Sequence, residues 1–395
     1  MKRMLSFLLT CLLCVGLAAC GQSSGPAESA KPSAGGQPAA VPLLEQPWEK
    51  IVEQAQSEGK LSLWVWSDED LWRQIAKDFE AEYGIPVSIM ISDKNTVLNK
   101  VLSEKDGAKG SIDVMGLPGD IINTMMESDV LYGPILDVMP NKDHLDPILS
   151  DRNEGVKSNH TWVPVWRGYT AMLYNPAMVD ENALPQTWED LERWIDENPK
   201  KFAFCLPEKG GSGQSFMQSI IINTTGGIAQ YMEDTAVDEA KTAQWGPVWD
   251  WINSRKDKLL FTNSNSDSLT RVNQGEAAMT VAWDSNASST IAAGELLSEV
   301  KLYVPEFGLA SGGDVQTVLK NAPHPAAGLL WLDFMTSEKG QQTVMDRLRN
   351  YPARTDLSFG GTLLSADDLE NAVEWLPAVY KSYYIDAFTK NVLMN

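Results

Sequence analysis

Lys60-Leu61-Ser62-Leu63-Trp64-Val65-Trp66, followed at once by Ser67-Asp68-Glu69-Asp70, is the stretch that decides the fold class. Its first seven residues alternate small or aliphatic side chains with aromatics, the period of a strand. Ser67 then supplies an N-cap, and the carboxylates after it sit in the first turn of a helix, where the macrodipole favours them. Leu71, Trp72, Ile75, Ala76 and Phe79 recur at helical spacing, and Gly84 suits the helix stop. A second strand is predicted over 85–91, a helix around 97–102 and a third strand over 112–115. This β-α-β-α-β order implies a mostly parallel sheet with helices on its faces.

The same alternation of elements continues downstream. A long strand is predicted over 162–174, a helix over 188–195 and a strand over 202–204. The Gly-rich loop Gly210-Gly211-Ser212-Gly213 precedes another helix. The run from Gly275 to Trp283 ends a helix and enters an apolar strand. The C-terminal part reads as largely helical, with 326–334 its clearest amphipathic stretch. No internal repeat and no second hydrophobic span are present, so the chain is not itself a permease.

Upstream, Lys2 and Arg3 precede an apolar run over 5–17, which closes on Leu17-Ala18-Ala19-Cys20-Gly21. A basic start, a short apolar run and small residues before a cut site describe an export signal over 1–19. The run is too short for a membrane span. The small-residue site before Cys20 resembles the bacterial lipoprotein box, which implies a lipid on Cys20; a plain secretory signal with a stray Cys is the alternative. Residues 21–47 are rich in Gly, Ser, Ala, Pro and Gln and read as a disordered tether, whose typical reach is roughly 30 Å.

Cys11 and Cys14 leave with the signal, so Cys205 is the one thiol of the mature body and no internal disulfide is expected. His144, His160 and His324 are scattered without zinc spacing and read as surface or satisfied structural residues; no metal and no cofactor is expected. The formal net charge is −21, and loss of Lys2 and Arg3 leaves the body more negative still. Such a body repels nucleic acid and anionic membrane surfaces and favours a cationic solute, although exported proteins are often acidic for solubility alone.

Six phrases in order resemble the extracellular solute-binding proteins of ABC importers, the group that includes maltose, iron, polyamine and thiamine binders. They are Glu58-Gly59-Lys60-Leu61, Val163-Pro164 through Leu173-Tyr174-Asn175-Pro176, and Leu184-Pro185-Gln186-Thr187-Trp188-Glu189-Asp190-Leu191. Gly275-Glu276-Ala277-Ala278-Met279, Asn321-Ala322-Pro323-His324-Pro325 and Met335-Thr336-Ser337-Glu338-Lys339-Gly340 complete the set. Ser128-Asp129-Val130-Leu131-Tyr132-Gly133-Pro134 and Asn198-Pro199-Lys200-Lys201-Phe202 resemble a less characterised subgroup near the iron, polyamine and thiamine binders.

The resemblance implies an α/β, two-lobed periplasmic-binding-protein-like fold (type II), with each lobe a mostly parallel sheet flanked by helices. It implies lobe 1 over 48–166 plus 285–322 and lobe 2 over 167–284 plus 323–395. Crossings would fall near Trp166, Trp283 and Asn321, and the lobes would close on solute by hinge motion. It also implies a lipid-anchored, extracytoplasmic monomer whose partners are a small-molecule solute, an ABC permease and an ATPase.

In open parallel α/β sheets, ligands lie beyond the carboxyl ends of the strands. That rule selects Trp66-Ser67-Asp68, with Trp66 as core and Asp68 as a cap the plain alternative. It also selects Gly119 and Asp120 in Leu117-Pro118-Gly119-Asp120, where the plain alternative is a helix entry. Gly211, Ser212 and Gly213 offer amides to an anion or form a surface turn; they lack the Lys and spacing of a P-loop. Trp283, Asp284 and Asn286 follow the apolar strand, and Trp166, Arg167 and Tyr169 lie at the first expected crossing. Gly312, Gly313, Asp314, Tyr351 and Arg354 are weaker candidates.

Trp beside a carboxylate suits an organic cation, with Asp68 or Asp284 as countercharge, or the C–H face of a sugar. The cation, of thiamine or polyamine type, is slightly favoured and a carbohydrate is the alternative. Ferric iron fits less: the related iron binders use adjacent tyrosines where this chain has Trp283-Asp284, and Tyr383-Tyr384 reads as helical packing. Trp188, Trp194, Trp249 and Trp331 read as core. A surface hydrolase is the competing class, and no enzyme activity is expected. GxSxG is absent, and Ser57-Glu58-Gly59-Lys60 matches SxxK only by chance because Lys60 begins a strand and no KTG follows.

Overall fold

The computed structural model describes residues 41–66, 69–360 and 363–394. The opening expectation holds. Strands β1 (Leu61–Val65), β2 (Val87–Ile91) and β3 (Val114–Gly116) are parallel neighbours, with β1 in the middle. The helix Glu69–Tyr83 buries Leu71, Trp72, Ile75, Ala76 and Phe79, and Gly84 ends it at φ 73°. The helix Lys94–Glu104 is capped by Asp93, whose carboxylate accepts the Thr96 N–H at 2.9 Å. A short hairpin follows, β4 (Arg152–Asn153) and β5 (Val156–Lys157), turning through Glu154 and Gly155.

The next strand, β6 (Val163–Tyr174), organises everything after it. Beyond it come β7 (Phe202–Cys205), β8 (Leu259–Thr262), β9 (Met279–Trp283), β10 (Lys301–Tyr303), β11 (Leu309–Val318), β12 (Tyr351–Pro352) and β13 (Ala372–Glu374). The main order is β2-β1-β3-β11-β6-β9-β7-β8, with β10 and β12 also paired to β6 and β13 to β11. The N-terminal part of β6 pairs antiparallel with β11 as far as Tyr169–Ser311, and from Thr170 on it pairs with β9. β11 in turn spans from β13 at Leu309 to β3 at Val318. Two strands thus belong to both halves of the sheet.

Hydrophobic packing follows these halves. One core joins β1, the helix Glu69–Tyr83 and the helix Pro325–Thr336, with Phe79 edge-on to Trp331 at 5.3 Å and to Phe334 at 5.5 Å; each such pair adds about 0.5–1.5 kcal/mol beyond area burial. The opposite face of β1 and β3 holds Trp64, Met115, Leu117, Ile122 and Trp162. A larger core gathers β7, β9, the helix Gly211–Thr224 and the C-terminal Tyr380, Tyr384 and Phe388.

This packing redistributes three segments. Ala287, Leu296, Val300 and Leu302, expected with the first half, pack in the core of the second. Ala326 through Val344, expected with the second, pack in the first. The chain therefore returns along β11 rather than near Trp283, because the helix Asp284–Ala292 packs in the second core and β10 pairs with the same C-terminal half of β6 as β9, on its opposite edge. It crosses last beyond β12, not near Asn321. The tether is also shorter than expected, since Leu43 and Leu44 already rest against the first core. The export signal, Cys20 and the tether up to residue 40 lie outside the described residues. Among the described residues, no helix is long and apolar enough to cross a membrane, and no group of His, Cys, Asp or Glu is arranged to hold a metal.

His324 is a satisfied structural residue: its ring Nδ1 lies 3.0 Å from the fully buried Asp113, which also accepts the Ser62 N–H at 2.7 Å. Trp188 and Trp331 are buried, and Trp194 and Trp249 pack at the edge of the second core.

The stretch over 326–334 is not amphipathic in its surroundings; it is enclosed nearly all round. Glu58 caps it, accepting the Ala327 N–H at 2.8 Å. Asp333 is its polar exception. Asn141 donates to that carboxylate at 2.8 Å, yet burial pushes the carboxyl up to about 6. An unfolded Asp releases its proton near 4, so the folded state binds more protons between about pH 4 and 6, and stability falls as pH rises through that window. Asp333→Asn is expected to remove this slope and to raise stability at pH 7 by about 1–3 kcal/mol, as read by urea unfolding at both ends of the window.

Candidate solute-binding cleft

The carboxyl ends of β1 and β3 open onto a cleft of about 970 Å³. Four tryptophans line it: Trp66, Trp166, Trp283 and Trp375. Each reaches its place because a neighbour leaves room or packs behind it. Trp66 lies across Gly116, where a Cβ would sit 2.3 Å from the indole. Trp166 packs on Trp72 with ring centroids 5.6 Å apart. Trp283 rests on Gly211, where a Cβ would meet its Nε1 at 2.9 Å. Trp375 follows β13 and covers Gly312, where a Cβ would meet its ring at 2.5 Å. The Trp283 and Trp375 centroids are 6.0 Å apart at 39°.

Five charged side chains share the lining: Glu154, Asp314, Lys94, Arg347 and Lys381. The lining is thus not acidic like the whole chain. Glu154 sits in the β4–β5 turn at φ 47°. Its backbone carbonyl accepts the Ala378 N–H at 2.8 Å, and Lys381 Nζ donates to its Oε1 at 2.6 Å. Both side chains are nearly enclosed, at 11% and 15% exposure. The carboxylate fills the space beside Gly119, where a Cβ would lie about 2 Å from it. Its second oxygen, Oε2, is buried without a hydrogen-bond partner among the described residues, as is Oδ1 of Asn286 in the lining. Lys381 Nζ also stands 4.9 Å from the Trp375 ring centroid, a cation–π contact inside the cleft itself.

Of the candidates read from sequence, Trp66, Gly119, Trp166, Gly211, Trp283 and Asn286 meet in this lining, with the weaker candidates Gly313 and Asp314. Others do not. Arg167 turns to Asp146 at 2.9 Å and to Ser311 at 3.2 Å, and Tyr169 packs edge-on to Tyr351 at 4.7 Å. Burial raises the Tyr169 hydroxyl pKa. Gly211, Ser212 and Gly213 form the first turn of the helix Gly211–Thr224 rather than a loop. Ser212 Oγ is taken by Asn265 at 2.8 Å, and Gly213 lets the helix approach the Cys205 carbonyl. Asp284 is 1% exposed and accepts the Leu363 N–H at 3.3 Å, so it holds the chain and not a ligand. Arg354 is likewise committed to Asp356 and Asn141. Ser67, Asp68 and the Asp120 side chain lie outside the described residues. Cys205 is buried, and that burial pushes its thiol pKa up.

The residues missed from sequence are Glu154, Trp375, Lys381, Lys94 and Arg347. The Glu154-Gly155 turn offers a local signal, but nothing local links it to Lys381, 227 positions away.

Residues 74–368 match the model of the family described as bacterial extracellular solute-binding protein. The chain belongs to this family. It is a substrate-binding component of the kind that serves ABC importers; the family is extracytoplasmic and not catalytic, and it implies a small-molecule ligand and an ABC permease as partners. The fold is the two-lobed periplasmic-binding type, as its similarity to solved structures shows. Iron-bound HitA from Pseudomonas aeruginosa is 19% identical, with TM-score 0.60 over 84% of this chain and 99% of that one. A putative extracellular solute-binding protein from Bordetella parapertussis is 13% identical, with TM-score 0.67 over 85% and 99%. The spermidine/putrescine-binding PotD from Streptococcus pneumoniae is 15% identical, with TM-score 0.63 over 85% and 98%. No curated protein sequence matches the chain.

The Glu154–Lys381 pair makes a local forecast possible. Removing one partner of an enclosed pair strands the other charge. Lys381→Met is expected to cost about 2–4 kcal/mol, and the double variant Lys381→Met/Glu154→Gln to recover most of it; denaturant unfolding of the four forms checks this.

Proposed function

We propose that this solute-binding protein works as a monomer tethered to the outer face of the membrane by lipid on Cys20, and that it captures a small organic solute with a flat ring. An organic cation is favoured. The observation that carries this reading is the cleft with its four tryptophans, three of them seated on Gly116, Gly211 and Gly312. An indole face attracts an organic cation by about 0.5–2 kcal/mol, and Asp314 adds a carboxylate to the same lining, where the charge of Glu154 is already met by Lys381. The basic lining residues set a limit. A single charge spread over a ring is accommodated, whereas a linear polyamine drives several compact charges toward Lys94, Arg347 and Lys381. Those same residues favour a carbohydrate as the second reading, since stacking on a sugar's C–H face needs no charge.

A thermal-shift and tryptophan-fluorescence panel separates these readings. It holds thiamine and its phosphates, choline-like cations, polyamines, oligosaccharides and ferric iron. Ligand at one hundred times its dissociation constant stabilises the protein by about 2.7 kcal/mol, a clear shift of the midpoint. A ring-bearing cation is expected to give it, and a response to sugars alone overturns the cation. Trp283→Ala is expected to weaken binding of the responding compound by about tenfold or more. For the tether, Cys20→Ser is expected to move the protein from the membrane fraction into the soluble extracytoplasmic fraction. Retention on the membrane would refute a lipid at that position.

A further inference from the structure

Resting on the reading of the cleft as a capture site, we propose that its ring-bearing solute also carries an acidic group, a phosphate or a carboxylate, and that Arg347 binds that group. The charge of the lining points there. The whole chain carries −21, yet with Glu154 and Lys381 paired to each other the lining still holds Lys94 and Arg347 against Asp314 among the described residues. Arg347 is exposed in that lining, and its guanidinium has no ion pair or hydrogen bond among the described residues. A guanidinium is a planar fork of N–H donors that matches two oxygens of a carboxylate or phosphate. A solute that is only a cation leaves this fork unused and is repelled by it. A ring with an acidic arm uses the indoles and the arginine together.

Two hydroxyls are open on the same lining. Ser285 and Ser289 stand one turn apart on the helix Asp284–Ala292; neither is buried, and neither hydroxyl has a partner among the described residues. Each is a ready donor to an acid oxygen. The helix starts act in the same sense. Lys94, Gly119, Gly211, Asn265 and Ser285 lie in the first turns of five separate helices of nine residues or more, and all five residues line the cleft. A helix start carries positive partial charge from N–H groups that lack an intrahelical partner. Three of these starts, after Pro118, Gly210 and Trp283, have no side-chain cap. Their dipoles add to the charge of Arg347 and do not stand in for it. The groups also come from both halves. The helix Glu338–Leu348, which carries Arg347, packs in the first core through Val344, whereas the helix Asp284–Ala292 packs in the second through Ala287. An acidic group that engages both helices draws the halves together.

The test pairs ring compounds that differ in the acid: thiamine against its monophosphate, pyridoxine against its 5′-phosphate, and glucose against glucose 6-phosphate and glucuronate. Calorimetry on the full-length chain compares the wild type with Arg347→Ala, Arg347→Lys, Arg347→Glu and the double variant Ser285→Ala/Ser289→Ala. In a pair that binds, the acid-bearing member is expected to bind the wild type at least about tenfold tighter, and rising salt is expected to shrink that advantage. Arg347→Ala is expected to remove the preference, Arg347→Lys to keep part of it and Arg347→Glu to reverse it. The double serine variant is expected to lower affinity for the acid-bearing member by about threefold or more. Arg347 is exposed, so urea unfolding of its variants is expected to match the wild type. Equal binding of both members of each pair, tighter binding of the acid-free member, or a preference that survives Arg347→Ala overturns the acid reading and leaves the capture reading standing. Silence of the folded wild type toward every probe overturns the capture reading, and this inference with it.

Discussion

One strand carries the architecture. β6 is twelve residues long, and it changes partner from β11 to β9 between Tyr169 and Thr170 without breaking its own run. A strand with hydrogen bonds to different neighbours along its length belongs to two halves of a sheet at once. β11 does the same in the opposite direction, from β13 to β3. Whatever lies beside these strands is therefore shared by both halves. Trp166 and Gly168 on β6, and Gly313 and Asp314 on β11, all face the cleft from that shared span. The bulge at Asp314 and Val315 marks where β11 bends as it passes β6. Two connecting strands are also the natural place for a hinge, because rotation about them moves the halves without disturbing either core.

The aromatic lining depends on glycine as much as on tryptophan. Gly116, Gly211 and Gly312 each leave a space that an indole occupies. These contacts hold the rings in place; Trp66 and Trp283 remain half-buried, while Trp375 is buried against Trp283 and Lys381. Rigid stacking surfaces bind at low entropic cost. The Glu154–Lys381 pair has the same character. It joins the β4–β5 turn to the helix Ala378–Phe388 and fills the gap beside Gly119. The C-terminal segment thus reaches back to complete a site begun some three hundred residues earlier in the chain, and it brings Trp375, Lys381, Ser382 and Ile385 with it.

Charge shows how far bulk composition and a local site diverge. The chain carries a formal charge of −21, yet its cleft is lined by three basic and two acidic side chains among the described residues. Net charge governs solubility and long-range attraction, while recognition rests on the few groups within hydrogen-bonding reach. Asp284 illustrates the difference. Its position after an apolar strand marks it as a ligand candidate, but in the fold its carboxylate meets the Leu363 amide and is lost to the solvent.

What the sequence determined by itself was what depends on short-range periodicity: the alternating β1, the helix after it, the β-α-β order, the apolar β9 and the ends of strands where ligands gather. Those signals repeat every two or three to four residues and so survive in a single chain read alone. They pointed to Trp66, Gly119, Gly211, Trp283 and Asn286, which lie at or near the ends of regular elements, and to Trp166 within β6, and these residues share one cleft lining. Only the tertiary structure decided which side each neighbour faced, sending Arg167 to Asp146 and Ser212 to Asn265. It alone decided that 325–348 packs with the first half and that Glu154 meets Lys381 across 227 positions. The physical reason is that such pairings are fixed by how finished elements pack, and no pattern in the neighbouring residues encodes a partner so far along the chain.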